Sequence, residues 1–147
     1  MTSEINSESW RSISGYSNYQ VSNIGRIRNS STWIILKPDI TKDGYYRINL
    51  YKNKTRRHHR IHRLVGQEWI LNPDGKPFVD HINHNITDNT ILNLRWVSSS
   101  ENSMNRTKRE GTSSTYKGVR WHKGNNKWCA EIRLGGRKKH LGLFASE

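Results

Sequence analysis

The sequence predicts an α+β fold of short antiparallel strands, with a small strand–strand–helix core set between two β segments. Three features lead there. Apolar residues recur at period two in several short runs, the pattern of half-buried strands. Only two segments carry a helical signal, one near residues 62–70 and one after Ser98. The apolar share is 32% of 147 residues, below the roughly 45–50% of an average globular chain, so a large single core is not expected.

Taken in order, Tyr19, Gln20 and Val21 and then the run 24–27 read as two strands around an Asn-rich turn. Lys42, Asp43 and Gly44 signal a turn. After it Tyr46, Ile48 and Leu50 alternate with Tyr45, Arg47 and Asn49, so one face of that strand is buried. Asn53 and Lys54 can turn the chain into a second strand, 56–61, crowded with Arg56, Arg57, His58, His59 and Arg60. Such a hairpin can lie along a phosphate backbone. The plainer reading is an edge strand kept from stray pairing by its charge.

Leu64, Val65, Trp69 and Ile70 fall at i, i+1, i+5 and i+6, which places 62–70 on a helix with one buried face. Asn72, Pro73, Asp74 and Gly75 end it. Phe78 and Val79 then lead into Asp80 and His81, a polar loop covers 83–89, and Leu92 and Leu94 alternate into Arg95, Trp96 and Val97. Ser98 and Glu101 stand three apart, a capping box in which each side chain satisfies a free backbone amide of the other residue at a helix start. The middle third thus reads as strand, loop, strand, helix. Residues 103–115 are polar, basic and without periodicity, which marks a linker. Beyond it 116–121, 128–134 and 138–143 read as three strands. Gly124, Asn125 and Asn126 and then Gly135 and Gly136 join them, as tight hairpins require.

The chain holds 25 Lys+Arg against 12 Asp+Glu, a formal net charge of +13 that points to a polyanionic partner. Residues 1–60 carry 11 basic and 4 acidic residues, residues 61–105 carry 3 and 5, and residues 106–147 carry 11 and 3. Basic flanks neutralise phosphates and release counterions. An acidic centre repels DNA unless a cation offsets its carboxylates, as in a metal-dependent phosphodiesterase. The longest apolar run, Trp33, Ile34, Ile35 and Leu36, is far short of the roughly 20 residues that span a bilayer. Residues 1–6 lack both the basic and the apolar stretch of a signal peptide. The single cysteine, Cys129, excludes an intramolecular disulfide and a Cys-based zinc site. The expectation is a soluble, cytoplasmic, monomeric protein with neither a membrane nor a small molecule as its partner.

Asp80, His81, Asn93 and Asn102 are the candidate chemical residues. A strand ending in Asp-His places a hard oxygen ligand beside an imidazole, and the capped helix carries Asn102 in or just beyond its first turn. The Asp80 carboxylate and the Asn102 amide oxygen can share one small hard cation, with positions left for water and phosphate oxygens. An imidazole is substantially neutral at pH 7, so His81 can take a proton from water. Against this, Asp-His is a common pair and Asn-rich loops are ordinary turns.

Residues 61–105 closely resemble the HNH homing endonucleases of phage introns. The likeness runs from Ile61, His62, Arg63, Leu64 and Val65 through Val79, Asp80 and His81 to Asn93, Leu94, Arg95, Trp96, Val97 and Asn102. It implies a ββα-metal core in which His81 is the general base, Asp80 a metal ligand, Asn93 the brace of the loop carrying the base and Asn102 the second metal ligand. That last position holds asparagine in place of histidine. The H-N-N form occurs among the family's phage nicking enzymes and favours Mg²⁺ or Mn²⁺ over zinc. No family role falls on His84. His62 and Arg63 open the family's His-Arg-Leu-Val helix, and Arg63 is the better candidate for a phosphate contact.

The flanks carry resemblances of their own. Trp10, Arg11, Ser12 and Ile13, with Gly15, Tyr16, Tyr19, Gln20, Val21, Ser22, Asn23, Gly25, Arg26 and Ile27, look like the small modular motif found ahead of such nucleases. Tyr116, Lys117, Gly118, Val119 and Arg120, then Trp128, Ala130, Glu131, Ile132 and Arg133, then His140, Leu141, Gly142 and Phe144 are similar to the Apetala/ethylene-response-factor DNA-binding domain. That likeness implies a three-stranded sheet in the major groove, with Lys117, Arg120, His122, Arg133, Lys138 and His140 toward DNA. His122 and His140 stand where Arg and Trp are usual. The family's covering helix begins near residues 145–147, where this chain stops, so Ala130, Ile132, Leu134, Leu141 and Leu143 are expected to form an uncovered apolar face.

The expected organisation is an N-terminal β-rich motif over 1–55, a nuclease core over 56–105, a basic linker over 106–115 and a DNA-binding sheet over 116–147. The expected function is that of a site-specific DNA endonuclease dependent on Mg²⁺ or Mn²⁺. It would act on double-stranded DNA, in the host cytoplasm if phage-encoded, nicking one strand per active site and leaving 5′-phosphate and 3′-hydroxyl ends. The alternative is a DNA-binding regulator whose core no longer cuts. A structured-RNA binder fits less well, because the C-terminal strands lack the paired exposed aromatics of single-strand RNA platforms.

Overall fold

Ile13, Val21 and Ile27 meet Ile48, Leu50, Ile61, Leu64 and Val65 in one buried cluster, which also takes in Val79 and Leu94. Residues from both sides of position 55 therefore share a single core. The computed structural model describes residues 7–105, 111, 113–134 and 136–147. Residues 1–6, Gly135, and positions 106–110 and 112 of the expected linker lie outside the described residues. The chain forms two compact units, Met1–Ser103 and Met104–Glu147.

In the first unit, β1 (Trp10–Ile13), β2 (Tyr16–Ser22) and β3 (Ile27–Asn29) make an antiparallel sheet in that order. The strand expected over 24–27 begins only at Ile27. Residues 23–26 are instead a turn, in which the Arg26 carbonyl accepts from the Ser22 N–H at 2.8 Å and the Ser22 carbonyl accepts from the Gly25 N–H at 3.1 Å. Gly25 has φ 84°, a left-handed conformation that favours glycine.

A second sheet joins β4 (Asp39–Ile40), β5 (Tyr46–Lys52) and β6 (Thr55–Arg60). The β5–β6 hairpin turns at Asn53 and Lys54, both with positive φ (49° and 61°), the conformation of a two-residue turn matched to strand twist. The alternation read from the sequence is present, with Ile48 and Leu50 buried on one face of β5. Ile61, expected to end the second strand, instead opens α1 (Ile61–Trp69).

The buried face of α1 is Ile61, His62, Leu64, Val65 and Gly66. It lies close to β7 (Phe78–His81): a methyl group built on Gly66 would stand 2.6 Å from Val79 Cγ2. Glycine at this position therefore sets the distance between helix and strand. β7 pairs antiparallel with β8 (Leu94–Val97), with Asp80 opposite Arg95 and His81 opposite Leu94. One residue later α2 (Ser99–Asn105) begins. The capping box is formed: the Ser98 N–H donates to Glu101 Oε2 at 2.6 Å, and the Glu101 N–H donates to Ser98 Oγ at 3.2 Å. The bond from the Ser98 N–H and the nearby Lys76 ammonium hold the Glu101 carboxyl down to about 2. The linker expected from residue 103 thus starts no earlier than the end of α2.

The second unit is an antiparallel sheet of β9 (Val119–His122), β10 (Lys127–Leu134) and β11 (Arg137–Phe144), in the order β11-β10-β9. Its first strand starts at Val119 rather than at residue 116. A bulge corrects the expected apolar face. Ala130 pairs with Gly142 but Glu131 pairs with His140, so Leu141 is the extra residue and the alternation of β11 shifts. Leu143, opposite Cys129, consequently shares a face with Glu131 and Arg133 rather than with Ala130 and Ile132. Ile132, Leu134 and Leu141 are exposed. Among the described residues no helix is long and apolar enough to cross a membrane.

Candidate active site

Side chains alternate along β7, so Val79 and His81 are buried while Asp80 takes the opposite side of the strand. His81, 4% exposed, sits at the strand end where the chain enters the loop. Its Nε2 lies 3.2 Å from Asn89 Oδ1. The Asn89 amide is oriented by its own Nδ2, which donates to the Thr87 carbonyl at 3.2 Å. An amide oxygen only accepts, so the contact with His81 is a hydrogen bond in the tautomer that carries the imidazole proton on Nε2. Asn89 is itself buried, and the turn 23–26 supports it. A methyl group on Gly25 would stand 2.7 Å from Asn89 Cβ, and the Asn23 carbonyl accepts from the Ile91 N–H at 2.9 Å.

Two rings from other elements pack on His81. His62, from the buried face of α1, meets it edge-on with ring centroids 5.0 Å apart, and Tyr45 lies 6.0 Å from it and 5.1 Å from His62. Burial, then the neighbouring His81, Arg60 and Arg63, push His62 down to about 3. The folded state therefore holds this ring neutral. Its stabilising contribution is complete above the ordinary imidazole value of 6.5 and is lost as pH falls from there toward 3. Urea unfolding should show a loss of about 2 kcal/mol from this group between pH 7 and pH 5. A His62→Phe chain should lose less over the same interval, and equal losses in the two proteins would contradict the assignment.

Asn93, 6% exposed, closes the loop between β7 and β8. Its Oδ1 accepts from the Asn83 N–H at 2.9 Å, its Nδ2 donates to the Asp88 carbonyl at 2.8 Å, and its carbonyl accepts from the Ile82 N–H at 2.8 Å. Within the loop, Asn83, Asn85 and Asp88 bond to backbone and side chains two to five residues on, as asparagine and aspartate do in tight turns. His84 is exposed with φ 62°, set apart from the buried His81.

Asp80 is held by a cation. Arg95, directly across the ladder, donates Nη2 and Nε to the single oxygen Asp80 Oδ2 at 3.2 and 3.3 Å. The Asp80 side chain is 14% exposed and that of Arg95 46%. Asn102 is half-buried on α2, its N–H bonded to the Ser98 carbonyl. The sequence reading passed over Asn89, Tyr45 and Arg95 as chemical groups, and took His62 as a structural residue or a phosphate contact. Asn89 stood among ordinary turn residues, and the rings are brought to His81 only by tertiary packing.

The basic candidates separate by face. Arg56 and Arg60 lie opposite Tyr51 and Arg47 on one side of the β5–β6 hairpin, whereas Arg57 lies opposite buried Leu50 on the other. Arg60 bonds to Asp43 at 2.7 Å and stacks over Tyr45. With exposed Arg63, Arg60 lines an open cleft of about 410 Å³ that also includes His58, His59, Leu64 and Gln67. β6 is also an edge of its sheet, so its charge serves the plainer purpose as well.

In the second unit, strand pairing puts Arg120, His122, Arg133, Lys138 and His140 on one face, while Lys117 precedes β9. Glu131 lies among them, bound to Lys138 at 2.5 Å and Arg120 at 3.4 Å. The Cys129 thiol is 3.5 Å from His140 Nδ1, and the donor atoms of Cys129, Glu131 and His140 lie within 4.8 Å of one another. Within this trio the Glu131 carboxylate is the one shared by Lys138 and Arg120.

The NUMOD4 motif matches residues 8–51, and the HNH endonuclease family matches residues 72–104. The chain is 39% identical over 101 residues to the DNA endonuclease I-HmuI of Bacillus phage SP01, covering 66% of this chain and 58% of that protein. It is 39% identical over 93 residues to an uncharacterised HNH endonuclease of Acanthamoeba polyphaga mimivirus, covering 63% of this chain and 28% of that protein. The chain thus spans from about a quarter to rather more than half of these curated relatives. A solved structure described as DNA binding and cleavage by the HNH homing endonuclease I-HmuI superposes with a TM-score of 0.62 at 32% identity. It covers 90% of this chain and 77% of the other.

Proposed function

The chain belongs to the HNH homing endonuclease family, and from that premise we propose that it is a divalent-metal-dependent endonuclease that nicks double-stranded DNA at one site. The observation that carries this reading is the pairing, on successive residues of β7, of a buried imidazole set against Asn89 and a carboxylate. A base and a hard oxygen ligand on neighbouring residues are the two groups that metal-assisted hydrolysis of a phosphodiester requires.

The donors suit a small hard cation. Asp80 and Asn102 offer a carboxylate and an amide oxygen with no sulfur. Mg²⁺ or Mn²⁺ held there would supply Lewis-acid stabilisation of the developing negative charge and the 3′ leaving oxygen. His81 Nδ1 takes the proton of a water molecule whose oxygen attacks phosphorus. The bond from phosphorus to the 3′ oxygen breaks and that oxygen takes a proton from water, leaving a 5′-phosphate and a 3′-hydroxyl. Asn89 keeps the His81 proton on Nε2, and Asn93 keeps the loop that begins at His81 in place.

Arg56, Arg57, Arg60 and Arg63 from the first unit are assigned to the phosphate backbone. Lys117, Arg120, His122, Arg133, Lys138 and His140 from the second unit are assigned to the duplex. A monomer carries one such site and cuts one strand per encounter. End analysis of a nicked duplex tests the chemistry. DNA ligase should reseal the nick without prior kinase treatment, and a nick that ligase reseals only after kinase and phosphatase treatment would contradict it.

A further inference from the structure

Arg95 and Asp80 form an ion pair that the β7–β8 register holds together, and we infer that this pair couples cation binding to DNA binding. The inference rests on the metal-dependent reading above. Both Arg95 donors go to one oxygen of Asp80, at 3.2 and 3.3 Å. That is longer than the roughly 2.7–2.9 Å of strong charge-assisted bonds, and it lacks the two parallel bonds of a forked pair. The carboxylate is the inner partner and the guanidinium the outer one, with 14% and 46% of their side chains exposed. The guanidinium thus stands on the solvent side of the pair.

A guanidinium and a divalent cation on the same carboxylate repel each other, so in the free protein Arg95 opposes the cation. Duplex DNA offers Arg95 a second anion, since a guanidinium fork matches phosphate as well as carboxylate. Once Arg95 turns to a phosphate, one competing positive charge leaves Asp80. Metal and DNA then favour each other by one reciprocal factor. Arg95 is a positioning residue in this scheme, acting through Asp80.

Mn²⁺ titration of the full chain by electron paramagnetic resonance, with and without a duplex oligonucleotide, tests this. Asp80→Asn in the same DNA subtracts the Mn²⁺ held by DNA phosphates alone. Without DNA, Arg95→Gln should bind Mn²⁺ about tenfold more tightly than wild type, and Arg95→Lys, which keeps the charge, should stay near wild type. DNA should tighten Mn²⁺ binding about tenfold in wild type and less than about twofold in Arg95→Gln. Circular dichroism confirms that each variant is folded, and the Lys variant reports if the Gln variant is not. Equal Mn²⁺ affinity in wild type and Arg95→Gln, or a tenfold shift in Arg95→Lys, would overturn the inference while leaving the metal site standing. No Asp80-dependent Mn²⁺ binding in any chain, with DNA present, would remove both.

Discussion

His81→Ala should cleave duplex DNA about 10²–10⁴-fold more slowly than wild type under single-turnover conditions, with its DNA affinity unchanged. The magnitude follows from the role. Alanine removes the only group assigned to take the proton from the attacking water, and hydroxide at neutral pH replaces it poorly. The affinity should hold because the residues assigned to phosphates lie on the β5–β6 hairpin, α1 and the second unit, while His81 is buried beside Asn89, His62 and Tyr45. Quench-flow rates beside fluorescence-anisotropy titrations would separate the two. A variant retaining more than about a tenth of the wild-type rate would show that another group is the base.

Asn93→Ala should be nearly as damaging, by a different route. Its side chain joins the Asn83 N–H to the Asp88 carbonyl, tying the two ends of the loop. Alanine leaves both backbone groups without that partner, at a cost of about 1–3 kcal/mol in stability for a buried group. The loop that starts at His81 and carries Asn89 would then lose its closure. A displacement of about 1 Å at the base can lower the rate about 10²-fold. Asn93→Asp keeps the oxygen that accepts from Asn83 but not the donor to Asp88, so its rate should fall between those of Asn93→Ala and wild type. Wild-type cleavage by Asn93→Ala, with its melting temperature lowered, would limit Asn93 to a structural role.

Much of this was legible in the residues because local physics decides it. Period-two alternation set the buried face of β5, the left-handed pair Asn53 and Lys54 set its hairpin, and Ser98 with Glu101 set the start of α2. Errors arose where a longer-range contact or an inserted residue decides the outcome. β3 begins late because the 23–26 turn closes on its own backbone and packs beneath Asn89. Leu143 changes face because one residue, Leu141, is inserted opposite an unbroken β10. The site shows the same division. Asp80 and His81 are adjacent in sequence, so their juxtaposition could be read directly. Asn89, His62 and Tyr45 reach His81 from a loop, a helix and a strand start whose packing no local pattern encodes.

The central claim is that the site built around Asp80 and His81 hydrolyses duplex DNA with a divalent cation. The most direct measurement is conversion of supercoiled plasmid carrying DNA from the protein's source genome to the open circular form. Wild type, His81→Ala and Asp80→Asn should be compared in Mg²⁺, in Mn²⁺ and in excess chelator. The expected result is open circles from wild type with either metal, none with chelator, and from either variant almost none in the time wild type needs to finish. Open circles from wild type in chelator, or tight duplex binding with no cleavage in any metal, would contradict it.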